Sequence, residues 1–142
     1  MNATETIFAL ALASNFESQA HFDRAYQLIQ SLGATKFSNI YLIPCRDGVG
    51  ADYWNSACLL KSELTKDEVI RLLKEIEDHS GRVRPSHKIS LDIDLIAWGT
   101  DLSQMQFNIK KMPLALDVQI PLSEIWKDLR LETVSQHYYP VI

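Results

Sequence analysis

The alternation of apolar and polar residues divides the first half of the chain into three predicted strands and one helix. Residues 6–13 form a continuous apolar run, which is typical of a buried strand. Apolar residues then recur at helical spacing over 19–32. Two further strands are predicted over 35–43, where Pro44 ends the run, and over 53–61.

Residues that can cap the first helix flank it on both sides. Ser14, Asn15 and Ser18 each have a side-chain oxygen for the unpaired N–H groups of the first turn, so any of the three is a candidate N-cap. Gly33 is the predicted C′ residue, because glycine readily adopts the left-handed conformation in which many helices end.

A capping box predicts the start of the second helix. Thr65 stands three residues before Glu68, the spacing at which the hydroxyl accepts the N3 amide and the carboxylate accepts the N-cap amide. This helix is expected to reach residue 79, with Gly81 ending it. A fourth strand is predicted over 88–98.

After Gly99 the pattern weakens and predicts only a short strand over 106–110 and a short helix over 123–129. The order β-α-β-β-α-β indicates an α+β fold, a ferredoxin-like sandwich with a short C-terminal extension. Because no linker-like tract interrupts the chain, residues 1–142 are expected to form a single domain.

The 142 residues include 14 Lys and Arg against 18 Asp and Glu, a net charge of −4 with His neutral. This balance argues against general nucleic-acid binding, which normally uses a basic face. No apolar run approaches the roughly 18–20 residues that span a bilayer, and the first residues lack the positive segment of a signal peptide. We therefore expect a cytoplasmic protein with no membrane partner, in which Cys45 and Cys58 are idle thiols.

Asp92 and Asp94 are the strongest chemical signal, because alternate residues of a strand point to the same face. Two carboxylates on one face of an apolar strand repel each other and need a positive partner. Magnesium suits this role, since it takes one or two carboxylates and completes its shell with waters and substrate phosphates. The alternative is a pair that faces solvent or binds Arg82, Arg84 or Lys88.

Tyr53 and Asn55 share one face of the third strand, and Trp54 points to the other. A tyrosine can stack on a flat heteroaromatic ring, while an amide offers donors and an acceptor to the edge of that ring. The two residues are therefore a candidate binding site for such a ring. The alternative is an ordinary strand end with Trp54 in the core and Tyr53 exposed.

A basic stretch over 81–88 directly precedes the acidic pair. Guanidinium groups suit phosphate recognition because their planar forks bind two oxygens at once. Arg82, Arg84 and Lys88 are therefore candidate phosphate-binding residues. The alternative is a solvated loop that follows a helix.

In their order along the chain, these segments resemble the 6-hydroxymethyl-7,8-dihydropterin pyrophosphokinase family of folate biosynthesis. The matching segments are Ala11-Leu12-Ala13-Ser14-Asn15, Asp52-Tyr53-Trp54-Asn55, Ile76-Glu77 with Gly81-Arg82-Val83-Arg84, Leu91-Asp92-Ile93-Asp94-Leu95, and Pro121-Leu122-Ser123-Glu124-Ile125. The family usually has glycine at the position of Ala13.

The resemblance implies a ferredoxin-like fold and an Mg²⁺-dependent transferase that moves the terminal pyrophosphate of ATP, its co-substrate, to the hydroxymethyl group of the pterin. It implies that Asp92 and Asp94 are catalytic metal ligands, which hold a pair of Mg²⁺ ions between the pterin hydroxyl and the phosphates. It also implies that Tyr53 stacks on the pterin, that Asn55 bonds its edge, and that Arg82 is a catalytic residue that contacts the phosphates.

The chain departs from the family pattern in two loops. After Arg82 the family has an Arg-Trp-Gly-Pro-Arg run, whereas this loop is shorter, lacks Trp and has Lys88 as its nearest cation. Residues 112–120 supply no His, Arg or aromatic side chain, although the family has all three in this region. Lys110 and Lys111 can supply some of that charge, but a lysine is a point charge and not a planar fork.

Three functional hypotheses follow. The favoured one is a pyrophosphokinase that is slowed by the missing loop residues. The second is a pterin- or nucleotide-binding paralogue with little or no turnover, and the third is an interaction module that keeps only the fold. The loops over 46–51 and 81–86 are expected to be flexible and to flank the site, and the shortened second loop predicts weak ATP binding.

Overall fold

The computed structural model describes residues 4–45, 48, 50–84, 86, 88–128 and 139–142. Within them the elements are β1 (Thr6–Ser14), α1 (Ser18–Gln30), β2 (Ala34–Phe37), β3 (Tyr41–Ile43), β4 (Tyr53–Ser62), α2 (Lys66–His79), β5 (Asp92–Gly99), β6 (Gln106–Phe107) and α3 (Leu116–Ile125). Two short 3₁₀ turns, Leu102–Gln104 and Ile109–Lys111, flank β6. No helix in this part of the chain is both long and apolar enough to cross a membrane.

The strands form one antiparallel sheet with β1 at its centre. The order is β2-β4-β1-β5-β6, and β3 pairs with β4 beyond the end of β2. α1 connects β1 to β2, and α2 connects β4 to β5, so each helix crosses over a strand that lies between the two it joins. This arrangement is a ferredoxin-like α+β sandwich and confirms the predicted fold class.

α1 and α2 cover one face of the sheet and enclose the larger core. Phe8 and Leu10 of β1 pack there with Phe22 of α1 and Leu73 of α2, and all four are almost completely buried. Cys58 lies in the same cluster, where burial raises the pKa of its thiol to about 12. This buried environment is typical of a structural thiol.

The opposite face carries smaller side chains and is covered in part by α3. Ala9 and Ala11 of β1 pack against Leu122 and Trp126, which lie in and just after α3. Trp126 stacks on Phe107 of β6 with ring centroids 5.3 Å apart. Short alanine side chains let α3 approach the sheet closely. The last residues of β1 do not belong to this cluster.

The predicted N-caps do not cap α1. Its N-cap is Glu17, which has φ 48° and no side-chain capping bond. The Ser14 and Ser18 hydroxyls bond each other at 3.0 Å. The side-chain oxygen of Asn15 accepts the Ile89 N–H at 2.5 Å. A local bond between two serines and a tertiary bond to Ile89 thus use the side-chain oxygens of the predicted caps.

Gly33 is also not the C′ residue that the sequence predicted. The C-cap of α1 is Ser31, and Gly33 lies where the chain passes over β4. A Cβ atom on Gly33 would stand 2.1 Å from the carbonyl oxygen of Lys61. Glycine is therefore required by the close approach of two backbones. Gly81 does fit its prediction, with φ 80° directly after Ser80, the C-cap of α2.

The strand predicted over 35–43 is interrupted at Ser38. Phe37 pairs with Cys58 and Tyr41 pairs with Asn55, so the register shifts by one residue between β2 and β3. Ser38 donates its N–H to the Ala57 carbonyl and accepts the Ala57 N–H with its hydroxyl, both at 2.9 Å. The side chain thus replaces a backbone acceptor at the break.

α2 begins where the sequence predicts it, but β5, the strand that follows, starts later than predicted. The capping box is confirmed, because Thr65 accepts the Glu68 N–H at 3.2 Å and Glu68 accepts the Thr65 N–H at 3.0 Å. β5 starts at Asp92 and not at residue 88. The residues before Asp92 are hydrogen-bonded to the β1–α1 turn instead, because the Asn15 N–H donates to the Ile89 carbonyl at 2.9 Å.

The elements after β5 were predicted with the wrong bounds. β6 is only two residues long, and a 3₁₀ turn occupies most of the rest of the predicted strand. α3 starts at Leu116, well before residue 123, and contains Pro121, whose ring removes one helical donor. Packing of buried residues such as Ile120 stabilises the helix in spite of the proline. The predicted helix end at residue 129 lies outside the described residues.

Gly33→Ala should destabilise the protein by about 2–3 kcal/mol, because the new methyl group meets backbone, which cannot rotate away. Gly81→Ala is the matched control. Nothing lies within 4 Å of a Cβ at Gly81, so only left-handed strain of roughly 1 kcal/mol is expected there. Urea unfolding of both variants measures the difference, and a smaller loss for Gly33→Ala than for Gly81→Ala would contradict the prediction.

Candidate active site

The strand register brings most of the predicted site residues to one face of the sheet. Ala13 of β1 pairs with Asn55 of β4 on one side and with Asp92 of β5 on the other. Ala11 pairs with Asp94 in the neighbouring position. Because directly paired residues point the same way, these side chains share the face that α1 and α2 do not cover.

We call the surface bounded by Asn55, Ala13, Asp92 and Asp94 the site face. Two strand spacings separate Asn55 from Asp92, a distance of about 10 Å between their Cα atoms. Ala13 is half-buried between them, and both acids are half-buried as well. The site face thus has an amide at one side, two carboxylates at the other, and a methyl group between them.

The tyrosine and amide predicted to hold a ring have different environments. Trp54 points into the helix-covered core, where it meets Phe22 edge to face at 5.7 Å, so Tyr53 and Asn55 face the other way, as predicted. Tyr53 is half-buried. Only 3% of Asn55 is exposed, and its amide nitrogen donates to the Tyr53 carbonyl at 3.1 Å. Asn55 is therefore the most deeply buried polar residue of the site face, and this hydrogen bond orients its side-chain amide.

Asp94 forms an ion pair with Lys111, which was not among the predicted site residues. The Lys111 ammonium lies 3.0 Å from Asp94 Oδ1, and 39% of the lysine and 29% of the aspartate side chain are exposed. The pair is thus accessible to solvent and to ligands. Both acids are only half-buried, and both lie on the same face of the sheet.

Glu77 of α2 is a third carboxyl group beside the acidic pair. It is buried, and its Oε2 accepts the Ile93 N–H at 2.7 Å, at a part of β5 where β6 does not pair. It also lies within hydrogen-bonding reach of Asp92. Burial raises the pKa of Glu77 to about 7, and the hydrogen bond and negative charge of Asp92 and the charge of Asp94 act in the same direction.

Glu77 has no role in the site predicted from the sequence. The available signal was its position, four residues after Leu73 and one after Ile76, on the stripe of α2 that faces the core. A carboxylate on a buried helix stripe needs a partner, and here the partners are a strand N–H and an arginine.

The three candidate phosphate-binding cations lie in different places. Arg84 Nη2 is 3.7 Å from Glu77 Oε1, which puts it near Asp92. Arg82 donates from Nη1 to the Val83 carbonyl at 3.0 Å, and its buried Nε has no hydrogen-bond partner among the described residues. Lys88 lies 5.4 Å from the ring centre of Phe16, beside the β1–α1 turn. Arg84 is thus connected to the acidic pair through Glu77.

The two loops predicted to be flexible, 46–51 and 81–86, contain residues outside the described part of the chain. Their flexibility stays a prediction. Gly81 turns the chain directly after α2, so that Arg82 and Arg84 follow the helix within one short segment.

Glu124 lies in α3, in one of the segments that resemble the family, and it connects this helix to the sheet. Its two carboxylate oxygens accept the Asn39 N–H at 3.1 and 3.0 Å, and Oε1 also accepts the Tyr41 hydroxyl at 2.5 Å. Burial, then the hydrogen bond to Glu124 and its charge, raise the pKa of Tyr41 to about 12. Glu124 thus fastens α3 to β3 beside the site face, since Tyr41 pairs with Asn55.

The donor set of the site face fits magnesium. Among the described residues, no group of three or more His, Cys, Asp or Glu side chains is arranged to hold a metal ion. Asp92 and Asp94 offer two accessible carboxylates, and Mg²⁺ characteristically takes one or two carboxylates together with waters and phosphates. Waters complete the shell of such an ion, and the phosphates of a substrate can replace some of them.

The fold and the site face define a class: small ferredoxin-like α+β domains that present an acidic pair next to candidate ring-binding residues. The chain matches the model of the family described as 7,8-dihydro-6-hydroxymethylpterin-pyrophosphokinase (HPPK) over residues 9–129 of 142. The protein therefore belongs to this family. The family is one of pterin- and ATP-binding transferases of folate biosynthesis and is generally Mg²⁺-dependent.

Glu77→Gln should weaken the pH dependence of stability in the metal-free protein. The pKa of Glu77 rises from its usual 4.5 to about 7 on folding, so the folded state binds the extra proton between these values. The free energy of unfolding of the wild type should therefore fall as pH rises from about 4.5 to 7 and then level off. In Glu77→Gln, which keeps an acceptor for Ile93, this fall should be smaller.

Urea unfolding in EDTA at several pH values measures this effect. Glu75→Gln, an exposed acid on the same helix, is the control and should follow the wild type. Parallel pH profiles for the wild type and Glu77→Gln would contradict the prediction.

Proposed function

We propose that this protein transfers pyrophosphate from ATP to the hydroxymethyl group of 6-hydroxymethyl-7,8-dihydropterin, with Mg²⁺ as its cofactor. The observation that carries the proposal is the register that aligns Asn55, Ala13 and Asp92 across the sheet, with Asp94 beside them. A flat ring and metal-bound phosphates then have adjacent places on one face. Membership of the family supports this reaction.

In this reaction the hydroxyl oxygen of the pterin forms a bond to the β-phosphorus of ATP. The bond between that phosphorus and the oxygen that bridges to the α-phosphate breaks, and AMP leaves with the bridging oxygen and its electron pair. The hydroxyl proton passes to water. No covalent enzyme intermediate is required, so the protein contributes alignment and charge stabilisation.

Asp92 and Asp94 hold the metal ions, a pair by likeness to the family. Bound magnesium supplies positive charge against the phosphates and lowers the barrier to attack by an oxygen nucleophile. Tyr53 stacks on the pterin ring and Asn55 bonds its edge. The bond from the Asn55 amide to the Tyr53 carbonyl supports this role, because it holds the amide in a fixed orientation before the ring arrives.

The basic residues bind the phosphates at the loop side of the site face. Arg84 is favoured for this role by its ion pair with Glu77, which keeps the guanidinium near Asp92. Arg82 is favoured by its buried Nε, a donor without a hydrogen-bond partner in the described structure that an incoming phosphate oxygen can satisfy. Lys88 contributes charge from the far end of the same loop.

Asp94→Ala should reduce AMP release by about a hundredfold or more, comparable to the removal of one group that stabilises a transition state. A coupled assay measures AMP formed from ATP, with and without Mg²⁺ and the hydroxymethyl pterin. Asp101→Asn is the control, because Asp101 only caps a 3₁₀ turn in the β5–β6 connection. Pterin-independent AMP release, or full activity in Asp94→Ala, would contradict the proposal.

A second candidate function is binding of a pterin or nucleotide with little or no turnover. It is favoured by the short loop after Arg82 and by residues 112–120, which lack the His, Arg and aromatic side chains expected from the family resemblance. Calorimetry separates the two candidates: heat of binding for the pterin and ATP without any AMP release supports the second one.

The shortened loop predicts weaker ATP binding than in a family member with full-length loops, because fewer cations and no tryptophan close over the nucleotide. Side-by-side titration of both proteins with Mg²⁺ and a non-reactive α,β-methylene analogue of ATP measures the difference. Equal affinities would show that the remaining cations are sufficient.

A further inference from the structure

Lys111 and Asp94 form an ion pair in the region where a metal ion is proposed to bind. The ammonium lies 3.0 Å from Asp94 Oδ1, and both side chains remain partly exposed. An ammonium at this distance occupies a lone-pair direction of the carboxylate that a metal ion would otherwise use. Lys111 and Mg²⁺ therefore compete for Asp94.

The position of Lys111 is determined by the fold and not only by its own flexible side chain. Lys111 ends a 3₁₀ turn that begins after Asn108, and Asn108 is fastened to β5 twice. Its side-chain nitrogen Nδ2 donates to the Leu95 carbonyl at 2.9 Å, and its backbone N–H donates to the Ile96 carbonyl at 2.8 Å. The turn is thus attached to the strand that carries Asp94, directly after that residue.

The local charges show why a cation is needed there before any ligand binds. Asp92, Asp94 and Glu77 lie close enough for their charges to affect one another. Arg84 faces Glu77 and Lys111 faces Asp94. Lys111 therefore places a positive charge against the carboxylate at the accessible end of this cluster.

We propose that Lys111 is a built-in counter-cation of Asp94, which Mg²⁺ displaces when it binds, and that the displaced ammonium then binds the phosphates that arrive with the metal. This inference rests on the proposed function. A divalent ion on Asp94 repels the ammonium, while its long flexible stem and three donors let it reach a phosphate oxygen nearby. The chain thus uses one lysine to stabilise the metal-free site and to bind the substrate.

The proposal is tested by Lys111→Met, which keeps the apolar stem and removes the charge. Isothermal titration with Mg²⁺ alone should show about fivefold tighter binding than in the wild type, the effect expected from losing a half-exposed ion pair. Lys111→Gln should behave in the same way, and Lys111→Arg, which keeps the charge, should bind Mg²⁺ like the wild type.

Lys110→Met is the matched control. Lys110 belongs to the same 3₁₀ turn, and its side chain has no ion pair among the described residues, so its replacement should leave the Mg²⁺ affinity unchanged. With saturating Mg²⁺, the α,β-methylene analogue of ATP should bind about fivefold more weakly to Lys111→Met than to the wild type. In EDTA, Lys111→Met should have a lower melting temperature than Lys110→Met.

The outcomes separate this inference from the proposed function. If folded Lys111→Met and Lys111→Gln bind Mg²⁺ no more tightly than the wild type while all release AMP, the inference is wrong and the proposed function stands. If Mg²⁺ binding tightens but the ATP analogue binds equally well, the phosphate-binding part is wrong. If no variant binds Mg²⁺ and none releases AMP, both proposals fail.

Discussion

The irregular pairing between β1 and β5 determines which side chains reach the site face. Ala9 pairs with Ala97, but Leu10 pairs with Leu95, so one residue of β5 is left over. Without this bulge Leu12 would face Asp94, and the acid would point into the helix-covered core together with Leu12. Bulges re-aim side chains in this way next to functional sites. The placement of the acids therefore depends on one extra residue in β5.

The parts of the fold that depend on local sequence could be predicted. The capping box at Thr65, the left-handed Gly81 and the alternation that puts Asp92 and Asp94 on one face each involve residues a few positions apart. Even the bulge leaves a trace in the sequence. The apolar residues of β5 stand at odd positions up to Leu95, and the next large residue on the helix-covered face is Trp98.

The features that could not be predicted depend on residues far apart in the sequence. Gly33 is required by the backbone of β4, and the break at Ser38 is closed by Ala57. Glu77 reaches β5 from the other side of a loop, and Lys111 reaches Asp94 through a turn fastened to β5. A pattern read along the chain cannot show which backbone atoms will be adjacent in space. Resemblance to the family supported the acids and the candidate ring-binding pair, but its segments did not include Lys111.

The two sides of the site face are built with different rigidity. On the β3 side, Glu124 joins α3 to Asn39 and Tyr41 through three hydrogen bonds, and Tyr41 in turn pairs with Asn55. On the β5 side, Asp94 forms an ion pair with a half-exposed lysine on a long, flexible side chain. A ligand with a different ring would therefore contact residues that are held by several hydrogen bonds. A change in its anionic group would contact a lysine side chain that moves more easily. In the proposed reaction, this asymmetry would favour discrimination between acceptor rings over discrimination between phosphate donors.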